Sequence, residues 1–173
     1  MNKSHNWVGG WVYYVGDRFF LSGDLLSSSN NKSGWQTAEA ELRFLGATNH
    51  VMSVLGEDLG RSFDGYSDNF GWGTLALDAG DSLVLADGDG IAGGALYVHR
   101  LLLAGGTGQI DHIAGNGLNI YYDLNEPANV YLGGQTYSLA GGGSISPVPE
   151  PQLLFLGALG ALGAASRRRM KRQ

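Results

Sequence analysis

Residues 73–123, GTLALDAGDSLVLADGDGIAGGALYVHRLLLAGGTGQIDHIAGNGLNIYYD, decide the fold. Within them aliphatic pairs recur two residues apart: Leu75 and Leu77, Leu83 and Leu85, Leu101 and Leu103, Leu118 and Ile120. That spacing puts each pair on one face of an extended strand. Clusters of Gly, Asp, Ala and Thr at 78–81, 87–90 and 105–108 supply turns between them, and few segments keep helical spacing for three turns. Short ladders divided by Gly/Asp corners predict stacked coils of a parallel β-solenoid, in which inward aliphatic side chains pile into a dry axial core. The ladders are unevenly spaced, and an antiparallel β-sandwich is the alternative architecture.

Outside this stretch the same all-β pattern continues at 11–15, 41–45, 51–55 and 136–139, each run bounded by Gly, Asp or Asn. The segments 119–123, 129–134 and 135–139 predict a closing hairpin. A solenoid needs such a cap, because an open last coil exposes an unpaired strand edge. The β-rich ectodomain is placed at 1–143.

The chain then changes character. Three of its four prolines fall at Pro147, Pro149 and Pro151, directly after Gly141, Gly142 and Gly143. Alternating Pro removes amide donors and forces extended geometry, which predicts a linker over 144–151. Residues 153–165 follow with no polar side chain. At ~1.5 Å per residue they make a helix of about 20 Å against a hydrocarbon core of about 30 Å. The basic end formed by Arg167, Arg168, Arg169, Lys171 and Arg172 extends that reach by snorkelling and retains itself on the cytoplasmic side. The expectation is a short transmembrane helix at 152–166, anchored through Leu153, Leu154, Phe155, Leu156, Leu159 and Leu162. A basic cytoplasmic tail at 167–173 completes the chain.

Val148, Pro149, Glu150 and Pro151, then a Gly/Ala/Leu-rich apolar helix, then an Arg cluster, resemble the PEP-CTERM sorting signal of Gram-negative bacteria. The resemblance covers about 27 residues of the 173. It implies an exosortase-type membrane protease as partner, recognising Pro149, Glu150 and Pro151 and removing the tail. It implies an inner-membrane precursor with its C-terminus in the cytoplasm, and a mature form in the envelope or outside the cell, associated with the cell surface, an exopolysaccharide or a biofilm matrix. The Leu-rich body is similar, more loosely, to bodies found ahead of such tails. Proteins of this class begin with a secretory signal peptide, whereas residues 1–15 hold no continuous apolar run and no small-residue cleavage site.

Charge divides along the same line. The formal charge of -5 combines 16 acidic and six basic residues before Gln152 with five basic residues and no acid after it. Phosphate would repel such a body, which excludes nucleic acid as a partner. The absence of Cys removes disulfides, thiolate metal sites and cysteine nucleophiles.

Motifs with chemical content are few. Gly88, Gly90 and Gly93 match a dinucleotide fingerprint, but a strand rather than a helix is expected after them, which makes them a turn. Asp87 and Asp89 open like a calcium loop that then fails at Ile91, Ala92 and Val98, leaving a weak cation candidate. The four His are scattered, with His99 expected on the outer surface and Asp111 beside His112 as half a triad without its serine. Glu39, Glu41, Glu57 and Asp58 read as solvated carboxylates, and Trp7, Trp11, Trp35 and Trp72 as packing residues. No cofactor and no catalysis are expected. The leading function is a structural or adhesive surface protein; a carbohydrate-binding or carbohydrate-active domain and a C-terminal fragment of a longer adhesin are the alternatives.

Overall fold

The structure is a computed structural model and describes residues 5–7, 12–13, 16–90 and 92–150. Its elements are β1 (His5–Trp7), β2 (Val12–Tyr13), β3 (Arg18–Leu21), β4 (Leu25–Ser27), β5 (Trp35–Gln36), β6 (Glu41–Phe44), β7 (Asn49–Val54), β8 (Trp72–Leu77), β9 (Ser82–Asp87), β10 (Ala95–Leu103), β11 (Ile113–Ala114), β12 (Asn119–Asp123), β13 (Tyr137–Ser138) and β14 (Ser144–Val148). Short 3-10 helices occupy Lys32–Gly34, Phe63–Tyr66, Gly106–His112 and Pro127–Leu132.

The chain winds. Each of the first five coils adds a strand to a five-stranded sheet, ordered β1-β4-β7-β9-β11, and another to a larger sheet, ordered β13-β14-β12-β10-β8-β6-β3, which β14 and β13 complete. β2 and β5 pair separately on the first two coils. The ladders are parallel apart from β13 on β14 and an isolated Glu57–Gly94 bridge. Parallel pairing excludes the sandwich alternative and matches the solenoid reading. The coils are uneven, as the sequence spacing foretold: Arg18 sits beside Glu41, Glu41 beside Thr74 and Thr74 beside Arg100.

Stacking places like on like. Leu42, Leu75 and Leu101 lie in register, as do Phe44, Leu77 and Leu103, and Leu96, Ile120 and Ile145 form a further row. These side chains are buried in one cluster with Met52, Leu83 and Leu85 from the other sheet. Burial of such rows between two sheets is the main favourable term available to a fold with no α-helix among its described residues. β8 is buried at every residue, as strands covered on both faces are.

Two expectations about the C-terminal end need correction. Residues 144–148 are not a linker, because Ser144–Val148 form β14 and pair with β12 from Ile120↔Ile145 to Asp123↔Val148. Pro is tolerated there because β13 covers only Ser144 and Ile145, which leaves Pro147 on an open edge that needs no donor. The cap also differs in composition. Asn119–Asp123 is a parallel strand of the main sheet, Pro127–Leu132 is a 3-10 helix, and the closing hairpin is β13 against β14. The helix forms because Pro127 pre-sets its first turn and Gly133 takes a left-handed φ of 60° at its end. The expected membrane helix at 152–166, the basic tail and Pro151 lie outside the described residues. Among the described residues no helix is long and apolar enough to cross a membrane.

Candidate functional site

β14 carries the first residues of the sorting segment, and its contacts fix where that segment leaves the body. Asn119 Oδ1 accepts from the Ser144 amide at 2.8 Å and the Ser144 hydroxyl at 3.0 Å, which sets the start of the strand. Ile145 then points into the axial core. Two residues on, the Pro147 carbonyl accepts from Arg61 Nε at 2.6 Å. The Val148 side chain is fully buried, and its carbonyl accepts from the Leu124 amide at 3.0 Å. Pro149 and Glu150 come next and are exposed. Of the four expected motif residues, Val148 therefore belongs to the fold, Pro149 and Glu150 stand clear of it, and Pro151 is outside the described residues.

Arg61 reaches β14 because the long third coil makes an excursion, residues 56–71, over the outer face of the large sheet. Along β10 and β12, Leu96, Val98, Ile120 and Tyr122 face the axis, while Ala95, Tyr97 and Tyr121 face outward. Outward aromatics on a sheet need cover, and Tyr66 and Phe63 of the excursion supply it, forming a second cluster that includes Val148. Tyr97 stacks on Tyr121 at 4.8 Å and meets Tyr66 edge-on at 5.6 Å. Polar tips pin the loop. Tyr97 OH donates to the Gly60 carbonyl at 2.7 Å and accepts from the Leu59 amide at 2.9 Å. Asp58 accepts from Tyr121 OH at 3.0 Å and from Asn119 Nδ2 at 2.7 Å. Burial pushes the Tyr121 and Tyr122 phenols up to about 12 and moves those of Tyr66 and Tyr97 upward as well.

His99, expected on the outer surface, is indeed off the axial core, but the excursion half covers it. Its ring stacks on Tyr66 at 4.4 Å and its Nδ1 lies 3.4 Å from Asp123 Oδ2.

Other sequence candidates are scattered over the coils. Asp87 Oδ1 accepts from the Gly90 amide at 2.9 Å as an ordinary turn residue. Among the described residues no group of three or more His, Asp or Glu is placed to hold a metal ion. After Gly93 the chain enters β10 directly, which bears out the turn reading of Gly88, Gly90 and Gly93. Asp111 and His112 are both exposed at the end of Gly106–His112. Glu41 pairs with Arg18 and Arg43, and Glu57 with Lys32. Trp72 is buried and meets Phe19 and Trp35 edge-on, while Trp35 also packs on Phe70. A cleft of about 260 Å³ lies between Arg43, Leu102, Ala128 and Tyr131, where Arg43 is already held by Glu41 and Asp78, the two carboxylates that raise its pKa.

Two features escaped the sequence. His50 takes a core position in β7, in register with Leu83; its Nδ1 is 2.8 Å from the Gly23 carbonyl and its Nε2 3.4 Å from buried Asp81. Arg61 shows no sign in the sequence of any tie to the tail, because 86 residues separate it from Pro147.

A body of stacked parallel β-coils whose described residues end in an exposed Pro149 and Glu150 fits a protein with a C-terminal address. Residues 147–169 match the family model of the PEP-CTERM protein-sorting motif. That motif implies an exported, envelope-targeted protein processed by an exosortase. No curated protein and no solved structure matches the chain.

Proposed function

We propose that the chain is a structural or adhesive component of the cell surface or of an exopolysaccharide or biofilm matrix, without catalytic activity of its own. In this reading the apolar segment at 152–166 holds the precursor in the inner membrane with its basic end in the cytoplasm. Cleavage at the motif then frees the body. The observation that carries the reading is the placement of Pro149 and Glu150, exposed and immediately after buried Val148, which ends the last coil among the described residues. A tail leaving the body at that point can be removed without opening the axial core. Stacked parallel coils add to it: their two sheets present side faces for lateral contacts.

Mass spectrometry of the native protein from cells carrying the sorting machinery is the test. The expected result is a mature form that retains Val148 and lacks the segment from 152 onward. A chain intact through Gln173 overturns the processing half. Replacing Pro149, Glu150 or Pro151 should leave precursor in the membrane with its body folded. For the adhesive half, a deletion strain should lose matrix cohesion and regain it with the wild-type gene; unchanged cohesion refutes it.

A further inference from the structure

We propose that Arg61 is the latch of the sorting segment: it holds the last two residues of β14 in the fold, so that the protease gains access only when this end of the strand opens. The inference rests on the processing reading above. Proteases and other peptide-capturing sites commonly take an extended segment by main-chain hydrogen bonds on both sides of the residues they read. On the N-terminal side of Pro149 those groups are occupied. The Pro147 carbonyl is taken by Arg61 Nε and the Val148 carbonyl by the Leu124 amide. The Val148 side chain is buried among Tyr66, Tyr97 and Tyr121.

The other side offers little compensation. From Val148 to Leu153, where the apolar run begins, five residues reach about 17 Å at most. A body held that close to the membrane cannot swing clear to offer more chain. Opening Pro147 and Val148 supplies the missing length, and the contact at its outer end is made by an exposed side chain, Arg61, to the Pro147 carbonyl. The opening stops there, because Ser144 and Ile145 are held by Asn119, by β13 and by the axial core. β13 makes the same division from the other side: it pairs with Ser144 and Ile145 and stops there, so Pro147 and Val148 have a strand on one side only.

The latch also couples processing to folding. Arg61 sits on the 56–71 excursion, which is pinned through Tyr97, Tyr121 and Asn119 of the fourth and fifth coils. The motif is therefore presented in one defined way once those coils have formed.

The test compares four full-length precursors in cells carrying the exosortase: wild type, Arg61→Ala, a four-residue Gly/Ser spacer inserted between Val148 and Pro149, and the two changes together. Pulse-chase conversion to the mature form gives the rate for each. Arg61→Ala should speed conversion on the order of three- to tenfold, the range for losing one hydrogen bond of ordinary net strength from an exposed side chain. The spacer should speed it at least as much, and Arg61→Ala should add nothing on top of the spacer. Equal rates for wild type, Arg61→Ala and the spacer overturn the latch. So does an effect of Arg61→Ala that persists with the spacer, which marks general loosening of the body. The spacer alters no residue of the body, so an unchanged rate with it overturns the latch even if Arg61→Ala fails to fold. If no precursor is converted, wild type included, the processing reading itself has failed and the latch falls with it.

Discussion

Replacing Asn129 by Ala removes an element that stands in for a missing strand. β12 pairs with β10 only along Ala95–Val98 of that strand, so the rest of β10, beyond Val98, has no neighbour on that side. Side chains of Pro127–Leu132 fill the gap. Asn129 Oδ1 accepts from the Leu101 amide at 2.9 Å, and its Nδ2 donates to the His99 and Asp123 carbonyls, both at 2.7 Å. Tyr131 OH continues the pattern, accepting from the Leu103 amide at 3.2 Å and donating to the Leu101 carbonyl at 2.8 Å. Asn129 is 2% exposed and Leu101 fully buried. Truncation therefore strands one buried donor outright and strips one bond from each of two carbonyls. At 1–3 kcal/mol for an unsatisfied buried donor, with the two carbonyls adding less, the loss is about 3 kcal/mol. For a chain of this length that lowers the melting temperature by about 6–12 °C. Urea and thermal melts followed by circular dichroism measure it, and amide exchange at Leu101 and Leu103 locates it. A loss below about 0.5 kcal/mol with the Leu101 amide still protected would show that this edge does not need the surrogate. Tyr131→Phe should cost about 1 kcal/mol by the same reasoning.

Gly73→Ala should be severe, at about 3 kcal/mol or more, because a Cβ there lies 2.8 Å from the Ala38 carbonyl oxygen and from Glu39 Cα, backbone of the preceding coil that cannot turn aside. Gly108→Ala, whose Cβ meets nothing within 4 Å, is the control and should change stability by less than about 0.5 kcal/mol. Alkali should unfold the body: Tyr121 and Tyr122 ionise near 12 in the fold, against about 10 in the unfolded chain, and Tyr66 and Tyr97 are also raised. The stability they confer is complete below about pH 10 and drains as pH rises from there through about 12, since the folded state holds their protons longer. A melting temperature that stays level from about pH 9 to about pH 11.5 would contradict that burial.

The Leu-x-Leu ladders and their Gly/Asp corners made the body legible as stacked β-coils, because a two-residue period and turn chemistry act within a few residues. β6, β7, β8, β9, β10 and β12 fall where those runs lie. The shorter strands β4, β5 and β11 carry too few residues to show a period and form because a neighbouring coil offers them an edge. The tail was legible for a different reason: its order of prolines, apolar run and arginines is an address written along the chain. Sequence by itself thus determined the extended, turn-divided character of the body and its C-terminal signal. Only the tertiary structure decided where the fold ends and what holds that end. Ser144–Val148 reads as a free linker until the edge of β12 is there to receive it, and Arg61 meets Pro147 only after several intervening coils have been wound. Hydrophobic period and turn propensity are local properties of a chain, whereas a strand edge and the side chain that closes it come from segments far apart in sequence.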